Sequence, residues 1–457
     1  MTGQVTFPPE VPLLADGSKV GGWWHVDERR NRVVCDLCPR HCALKDGDRG
    51  FCFVRQNQGG KIVLTTYGRS TGFCIDPIEK KPLNQFFPGT AVLSFGTGGC
   101  NLGCKFCQNW TTTKSRETDT WCEEASPEAI AAAAKAHGCT SVAFTYNEPI
   151  IWAEYAIDTA LACHRLGIKT VAVTNGYIDP LARKAFFEVM DAANVDLKAF
   201  TEEFYRKYCL GHLQPVLDTL KWLVHESSVW VEITNLLIPQ ANDSPEEIRA
   251  MCRWIRDELR PDVPIHFTAF HPDFQMLDRP PTPPSTLKMA YQIAREEGLL
   301  YVYTGNILDV RTQSTYCPRC GKAVIERQGY YISGYWLRGN RCAHCGFEIA
   351  GHYAETAGTW GSRRVPIKIP PLPRSASSPP RASGPTSNPH SHGNPSEQPK
   401  APHPDPSQEG SPCDSGPQTE GKIESRANTP NPWEDTAARN PSEEAGANRE
   451  RGVATEG

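Results

Sequence analysis

The sequence predicts an α/β fold: a complete or partial β/α barrel over residues 90–310, with a cysteine module on either side and a polar tail behind. Three observations predict it. From about residue 90 to 305, short β-rich runs alternate with helical stretches, which at this length means a parallel sheet with crossover helices. Two four-cysteine groups flank that region, one near the start of the chain and one after residue 316. From about Lys368 the composition turns to Pro, Ser, Gly and Asn with almost no large apolar residue. A doubly wound open sheet is the runner-up, distinguished from a barrel by where the polar residues fall.

In chain order, the first region (1–89) opens irregularly, with Gly21-Gly22-Trp23-Trp24 the stretch expected to pack. It then presents Cys35, Cys38, Cys42 and Cys52 at spacing C-x2-C-x3-C-x9-C. Four soft ligands this close, with Pro39 and Gly50 turning the chain between them, imply a metal: zinc or an auxiliary iron–sulfur cluster, which four thiolates suit equally. His41, adjacent to Cys42, is read as a solvent-side neighbour and not a ligand. Strands are expected at Ala91–Phe95, Ser141–Thr145, Lys169–Thr174, Asn194–Asp196, Val229–Leu236, Ile265–Phe270 and Leu300–Tyr303. Helices are expected at Pro127–His137, Ile151–Leu166, Pro180–Met190, Leu213–His225, Pro245–Leu259 and Ser285–Glu297. Ser126 and Ser244-Pro245 mark helix starts, and Gly138, Gly167 and Gly298 mark stops. In the module at 311–367, Cys317-Pro318-Arg319-Cys320 and Cys342-Ala343-His344-Cys345 lie 21 residues apart around a hairpin-like Tyr330-Tyr331-Ile332. This spacing reads as a zinc ribbon or rubredoxin-like knuckle, mostly for structural zinc, with Cys317, Cys320, Cys342 and Cys345 closing the ion on all four sides. Residues 368–457 cannot bury enough surface to offset their ordering entropy and are expected to be disordered.

The charge balance is uneven. From Leu372 onward the chain carries 8 basic and 12 acidic residues, leaving 40 of each in the body and the whole formal charge of −4 in the tail. A neutral body offers no electrostatic footprint for nucleic acid or an anionic membrane. With no apolar run of roughly 18 residues and no charged-then-apolar start, the expected location is cytoplasmic. There, 18 cysteines serve metals more readily than disulfides. Cys74, Cys122, Cys139, Cys163, Cys209, Cys252 and Cys413 fall outside the three groups and read as buried spectators.

The third group is Gly98-Gly99-Cys100-Asn101-Leu102-Gly103-Cys104-Lys105-Phe106-Cys107, directly after the first barrel strand. Three thiolates are one short of the set that an ordinary cluster or structural zinc takes. A cubane held by three cysteines keeps one iron free for a small molecule. The later strands run into Asn147-Glu148-Pro149, Thr174-Asn175-Gly176-Tyr177, Asp196-Leu197-Lys198, then Glu232, Thr234 and Asn235, His271-Pro272 and Thr304-Gly305-Asn306. In a β/α barrel these ends carry the chemistry, so a ring of polar groups around the three thiolates reads as a cofactor pocket.

Cys100-x3-Cys104-x2-Cys107, with Phe106 before the third cysteine, resembles the signature of the radical S-adenosylmethionine superfamily. Within it the chain looks like the branch related to pyruvate formate-lyase activases, and more narrowly like the AmmeMemoRadiSam system radical SAM enzymes. The narrower likeness rests on Cys-Asp-Leu-Cys-Pro-Arg-His-Cys with Gly50-Phe51-Cys52, on Phe144 to Pro149, on Tyr301 to Asn306, and on the ribbon starting Thr315-Tyr316-Cys317-Pro318. It covers roughly residues 30–352.

The resemblance implies a partial (β/α) barrel of the radical SAM type. It implies a [4Fe–4S] cluster on Cys100, Cys104 and Cys107, whose fourth iron is chelated by the amine and carboxylate of S-adenosylmethionine. Asn147-Glu148-Pro149 sits where the superfamily has Gly-Gly-Glu; Tyr146 and Asn147 replace the glycines, so Glu148 alone transfers as the amine-holding residue, with a backbone carbonyl. Thr174 and Asn175 lie where the family contacts ribose or carboxylate. Asp196-Leu197-Lys198 matches the activases' Asp-Leu-Lys and makes Lys198 a cofactor contact. Reductive cleavage to a 5′-deoxyadenosyl radical is the implied reaction, on a protein or small-molecule substrate. The implied partners are a one-electron donor of flavodoxin or ferredoxin type and Memo-like and AMMECR-type proteins. A multi-zinc binding module for a protein or nucleic-acid partner is the competing reading. The N-terminal site, if a cluster, would relay electrons or bind substrate; if zinc, it would be a staple.

Overall fold

The alternation of strands and helices folds into one sheet. In a computed structural model describing residues 13–114 and 123–370, β1 (Phe73–Pro77) leads into β2 (Ala91–Phe95). Then follow α1 (Pro127–Ala136), β3 (Ser141–Phe144), α2 (Ala153–Arg165), β4 (Lys169–Thr174), α3 (Pro180–Phe187) and β5 (Ala192–Asp196). The series continues through α4 (Gln214–Glu226), β6 (Trp230–Leu237), α5 (Pro245–Trp254), β7 (Ile265–Ala269), α6 (Pro284–Glu296) and β8 (Val302–Gly305). Beyond it, β9 (Thr315–Tyr316), β10 (Ala323–Gln328) and β11 (Tyr331–Tyr335) form a separate antiparallel sheet, and β12 (Val365–Ile367) returns to pair with β1.

Strands β2 to β8 are parallel and lie side by side in strict chain order, with β1 antiparallel to β2. A doubly wound sheet reverses direction midway; this one does not, which decides for barrel winding. Among the described residues no strand joins β8 to β12, so the barrel is partial.

All seven expected barrel strands are present. β2 and β3 are buried at every position, as parallel strands covered on both faces require. Ser126 and Ser244 cap α1 and α5 by accepting from the amides of Ala129 and Glu247, each at 3.2 Å. Three helix boundaries differ from expectation. Glu148 caps a separate 3-10 turn at Pro149–Trp152 before α2 begins. α3 stops at Phe187, and the expected end of α5 widens into a π turn at Ile255–Leu259. The start of the chain is also more regular than expected: Lys19–Val20 pairs with Lys61–Leu64, and Trp24–Asp27 with Arg32–Cys35. Cys122, Cys413 and nearly all of the tail lie outside the described residues.

The barrel interior is layered. At its lower end the β1–β2 connection forms a plug, Ile78, Leu83 and Phe86 packing on Val92, Ala143, Val171 and Ala192. Above the plug the inward positions turn polar. Glu232 of β6 accepts from the amides of Asn84 and Gln85 at 3.0 and 2.8 Å and pairs with His266 of β7 at 2.6 Å. Asn194 of β5 donates to the Pro82 carbonyl and accepts from Thr234. These hydrogen bonds offset the cost of burying polar groups.

Glu79, on the plug, is pushed up to about 7 by burial, against the opposing pull of Arg327 and the Gly89 amide. The folded chain holds this proton where the unfolded chain has lost it. Its contribution to stability is therefore complete below about 4.5 and disappears as the pH rises through about 7, a difference of about 3 kcal/mol. Glu79→Gln removes the titration, so the variant's thermal midpoint relative to wild type should climb between pH 4.5 and 7. A constant difference over that range would contradict the assignment.

Candidate active site

The three-cysteine loop leaves the C-terminal end of β2, and two glycines let it turn there. A Cβ on Gly96 would lie 2.3 Å from the Thr145 carbonyl oxygen, and one on Gly99, whose φ is +82°, would lie 2.1 Å from that of Cys52. Neither backbone oxygen can yield cheaply, so both positions exclude larger residues. The loop is then held by Asn147. Its Oδ1 accepts from the Thr97 amide at 3.0 Å and the Trp152 indole at 3.2 Å. Its Nδ2 donates to Thr97 Oγ1 and to the carbonyls of Gly98 and Gly99 at 3.0–3.2 Å.

Glu148, Thr174 and Asn175 come together beside Cys100. The buried Glu148 carboxylate accepts from Ile150 N at 3.1 Å and Thr174 Oγ1 at 2.6 Å on one oxygen, and from Asn175 N at 2.7 Å on the other. Burial raises its pKa to about 7 despite these donors. Asn175 Nδ2 donates to Asn101 Oδ1 at 2.8 Å and stands 4.0 Å from Cys100 Sγ. Asn101 in turn donates to the Tyr177 carbonyl at 2.8 Å. The end of β4 is thereby tied to the cysteine loop.

Lys198 closes the far side. Its ammonium pairs with Asp196 at 3.0 Å and lies 5.9 Å from the centre of the Phe106 ring. Lys114 donates to the Leu102 carbonyl at 2.9 Å. The segment preceding α4 runs along the loop, its Cys209 and Tyr208 carbonyls accepting from Gly103 N and Lys105 N. The Cys209 thiol lowers the pKa of Cys104, and Lys198 and Lys114 act in the same direction.

Other strand-end residues do not join this ring. Glu232 and Thr234 point into the polar layer below it, and Asn235 donates to the Leu197 carbonyl at 2.7 Å. His271 is exposed. A cavity of about 470 Å³ opens near the ends of β7 and β8, lined among others by Glu79, Lys80, Thr304, Asn306 and Arg327. Glu79 Oε2 and Arg327 Nε are buried there without a hydrogen-bond partner.

The cysteine groups differ in spread. Cys317, Cys320, Cys342 and Cys345 bring all four thiols within 4.8 Å of one another, with closest pairs at 3.5 and 3.8 Å. A tetrahedral ion with Zn–S bonds of 2.3 Å requires sulfurs about 3.8 Å apart, so this group fits a single ion. Among the described residues no other cysteine group gathers so tightly. The loop thiols suit a larger inorganic core: three sulfur donors, flanked by two ammonium groups that offset its charge. The N-terminal group packs against the barrel through a buried ion pair, Arg55 with Glu154 of α2, whose remaining donor Nε reaches the Ile151 carbonyl at 2.9 Å.

Sequence reading did not single out Asn147 as a clamp, nor Asn101, Lys114 and Cys209. Asn147 stands beside Glu148 in the strand-end pattern and was open to detection. Lys114 and Cys209 carry no local signal, because only the fold brings them to the loop.

Residues 95–255 match the family model of the Radical SAM superfamily. Over 321 residues the chain is 42% identical to the uncharacterized protein MJ0808 of Methanocaldococcus jannaschii, covering 70% of this chain and 95% of that protein. It is 26% identical over 181 residues to the pyruvate formate-lyase 1-activating enzyme of Escherichia coli K12, covering 37% of this chain and 70% of that enzyme. Among solved structures, a domain of pyruvate-formate lyase-activating enzyme from Bacteroides vulgatus superposes with a TM-score of 0.32 at 18% identity, over 36% of this chain and 99% of that one.

Asn147→Ala would strand several buried loop groups at once. It should lower stability by about 2–4 kcal/mol and reduce the iron taken up after anaerobic reconstitution. An unchanged thermal midpoint together with unchanged iron content would show that the loop is held by other contacts.

Proposed function

The chain belongs to the radical S-adenosylmethionine superfamily, and from that premise we propose that it cleaves S-adenosylmethionine reductively at a [4Fe–4S] cluster on Cys100, Cys104 and Cys107. Held by Cys100, Cys104 and Cys107, such a cluster would supply the one electron that reductive cleavage of the sulfonium to methionine and a 5′-deoxyadenosyl radical requires, the radical then serving to take hydrogen from a substrate. The observation carrying this reading is that the three-cysteine loop, Glu148, Asn175 and Lys198 follow four consecutive parallel strands, with Asn175 Nδ2 4.0 Å from Cys100 Sγ.

The chain's own residues divide the remaining work. Glu148 has roughly four acceptor directions and uses three of them internally. The remaining one, on Oε2, is the one we assign to an ammonium donor, the methionyl amine. Thr174 and Asn175 hold that carboxylate and the loop in register, and we assign both to contacts with the ribose or carboxylate of the cofactor. Lys198 and Lys114 balance the negative charge of the thiolates. Burial of Cys104 and Phe106 keeps water from that side of the reactive site.

The hydrogen donor is a protein segment or a small polar molecule. Similarity to an activating enzyme favours the first; the charged lining of the 470 Å³ cavity favours the second. Zinc is the ion we assign to the C-terminal ribbon. A flavodoxin- or ferredoxin-type protein is the proposed electron source, and Memo-like and AMMECR-type proteins are the proposed associates of an AmmeMemoRadiSam-type enzyme.

Anaerobic reconstitution with iron and sulfide, followed by reduction and addition of S-adenosylmethionine, should yield methionine and 5′-deoxyadenosine. The Cys100→Ala, Cys104→Ala and Cys107→Ala variants should yield neither. Cleavage at the wild-type rate in all three would refute the assignment.

A further inference from the structure

The N-terminal cysteines were open to two readings, a zinc staple or an iron–sulfur cluster, and their placement separates these. The thiols of Cys35, Cys38, Cys42 and Cys52 line one small, largely apolar cavity. Among the described residues, the ribbon cysteines alone gather their ligand atoms as a single ion requires. The ribbon has two close thiol pairs, at 3.5 and 3.8 Å. A single zinc draws four sulfurs to about 3.8 Å from one another. A four-iron cubane holds its four thiolates farther apart, because each binds a different iron.

The second observation is where this cavity lies. Asn101, between the first two loop cysteines, helps to line it. Cys52 presents its carbonyl oxygen to Gly99 so closely that no side chain fits between them. Arg40, inside the N-terminal motif, donates to the Asn101 and Leu210 carbonyls, and Asp179 N reaches the Leu37 carbonyl at 3.1 Å. The two cysteine sites therefore share a wall. Cys35 and Cys38 are buried, and Cys42 and Cys52 are partly exposed.

We propose that Cys35, Cys38, Cys42 and Cys52 hold a second [4Fe–4S] cluster, which passes single electrons to the site at Cys100, Cys104 and Cys107. Four cysteine ligands leave no iron open, so this cluster cannot bind S-adenosylmethionine and its chemistry is electron transfer alone. One electron from a low-potential flavodoxin- or ferredoxin-type protein enters on the Cys42 side and takes the cluster from the 2+ to the 1+ state. The same electron leaves past Cys52 and Gly99, returning it to 2+; no bond is made or broken and no proton moves. Only the destination of the electron rests on the function proposed above.

The full-length Cys100→Ala/Cys104→Ala/Cys107→Ala variant isolates the question, since it keeps the N-terminal motif intact. After anaerobic reconstitution it should contain about four irons and one zinc. Its reduced state should give an electron paramagnetic resonance signal that S-adenosylmethionine does not alter. A chain with two zincs and no iron would overturn the proposal while leaving the cleavage reaction of the wild type unaffected. The relay has its own test in Cys35→Ala/Cys38→Ala. Reduction of the remaining cluster by a flavodoxin-type donor should slow by an order of magnitude, while dithionite should reduce it as fast as in wild type. Equal rates with the protein donor would refute the relay. Should that variant fail to fold, the metal content and signal of the triple variant still decide whether the cluster exists.

Discussion

A single buried amide, that of Asn147, fixes the geometry on which the reactive site depends. Four of its five hydrogen bonds join the loop after β2 to the turn after β3, the fifth bracing the turn through Trp152, and Glu148, the next residue, joins that turn to the end of β4. Three neighbouring strand ends thus become one rigid unit with the cysteines on its rim. A loop rich in glycine would otherwise sample many conformations, and the proposed sharing of one inorganic core by its three thiolates calls for fixed positions. Preorganisation of this kind is supplied by the protein, whereas the electron chemistry belongs to the cofactor.

The barrel supplies the frame for that unit. Parallel strands in unbroken order bring the strand ends into sequence around one mouth, and the plug from the β1–β2 connection closes the other end. Between them lies a polar layer with Glu232, His266, Asn194 and Thr234 mutually satisfied. The N-terminal motif is attached outside this frame through Arg55 and Glu154. Such a pair is a weak source of net stability, since desolvation of both charges opposes their attraction. Removing either partner would leave the other charge buried and unpaired, so the pair fixes where the motif sits more than how stably the chain folds.

Much of this was legible in the chain itself, for physical reasons that vary by element. The barrel strands were readable because parallel strands are apolar on both faces, and Ser126 and Ser244 were readable because helix starts need a side-chain acceptor. Glu148, Thr174, Asn175 and Lys198 were found by their position at strand ends. What escaped was non-local. β12 is only three residues long and acquires its partner β1 nearly three hundred residues earlier, with no periodicity to announce it. Cys209 looked like any lone buried thiol until the fold laid its segment along the cysteine loop. The contact of Gly99 with Cys52 likewise joins two motifs that the sequence presents as separate modules.

The central claim is that the loop cysteines carry a cluster with one iron open to S-adenosylmethionine. Electron paramagnetic resonance of the reduced, reconstituted wild type, recorded with and without S-adenosylmethionine, tests it most directly. The account predicts that the signal of one cluster shifts when S-adenosylmethionine is added. An identical spectrum in both samples, with all iron accounted for, would contradict it.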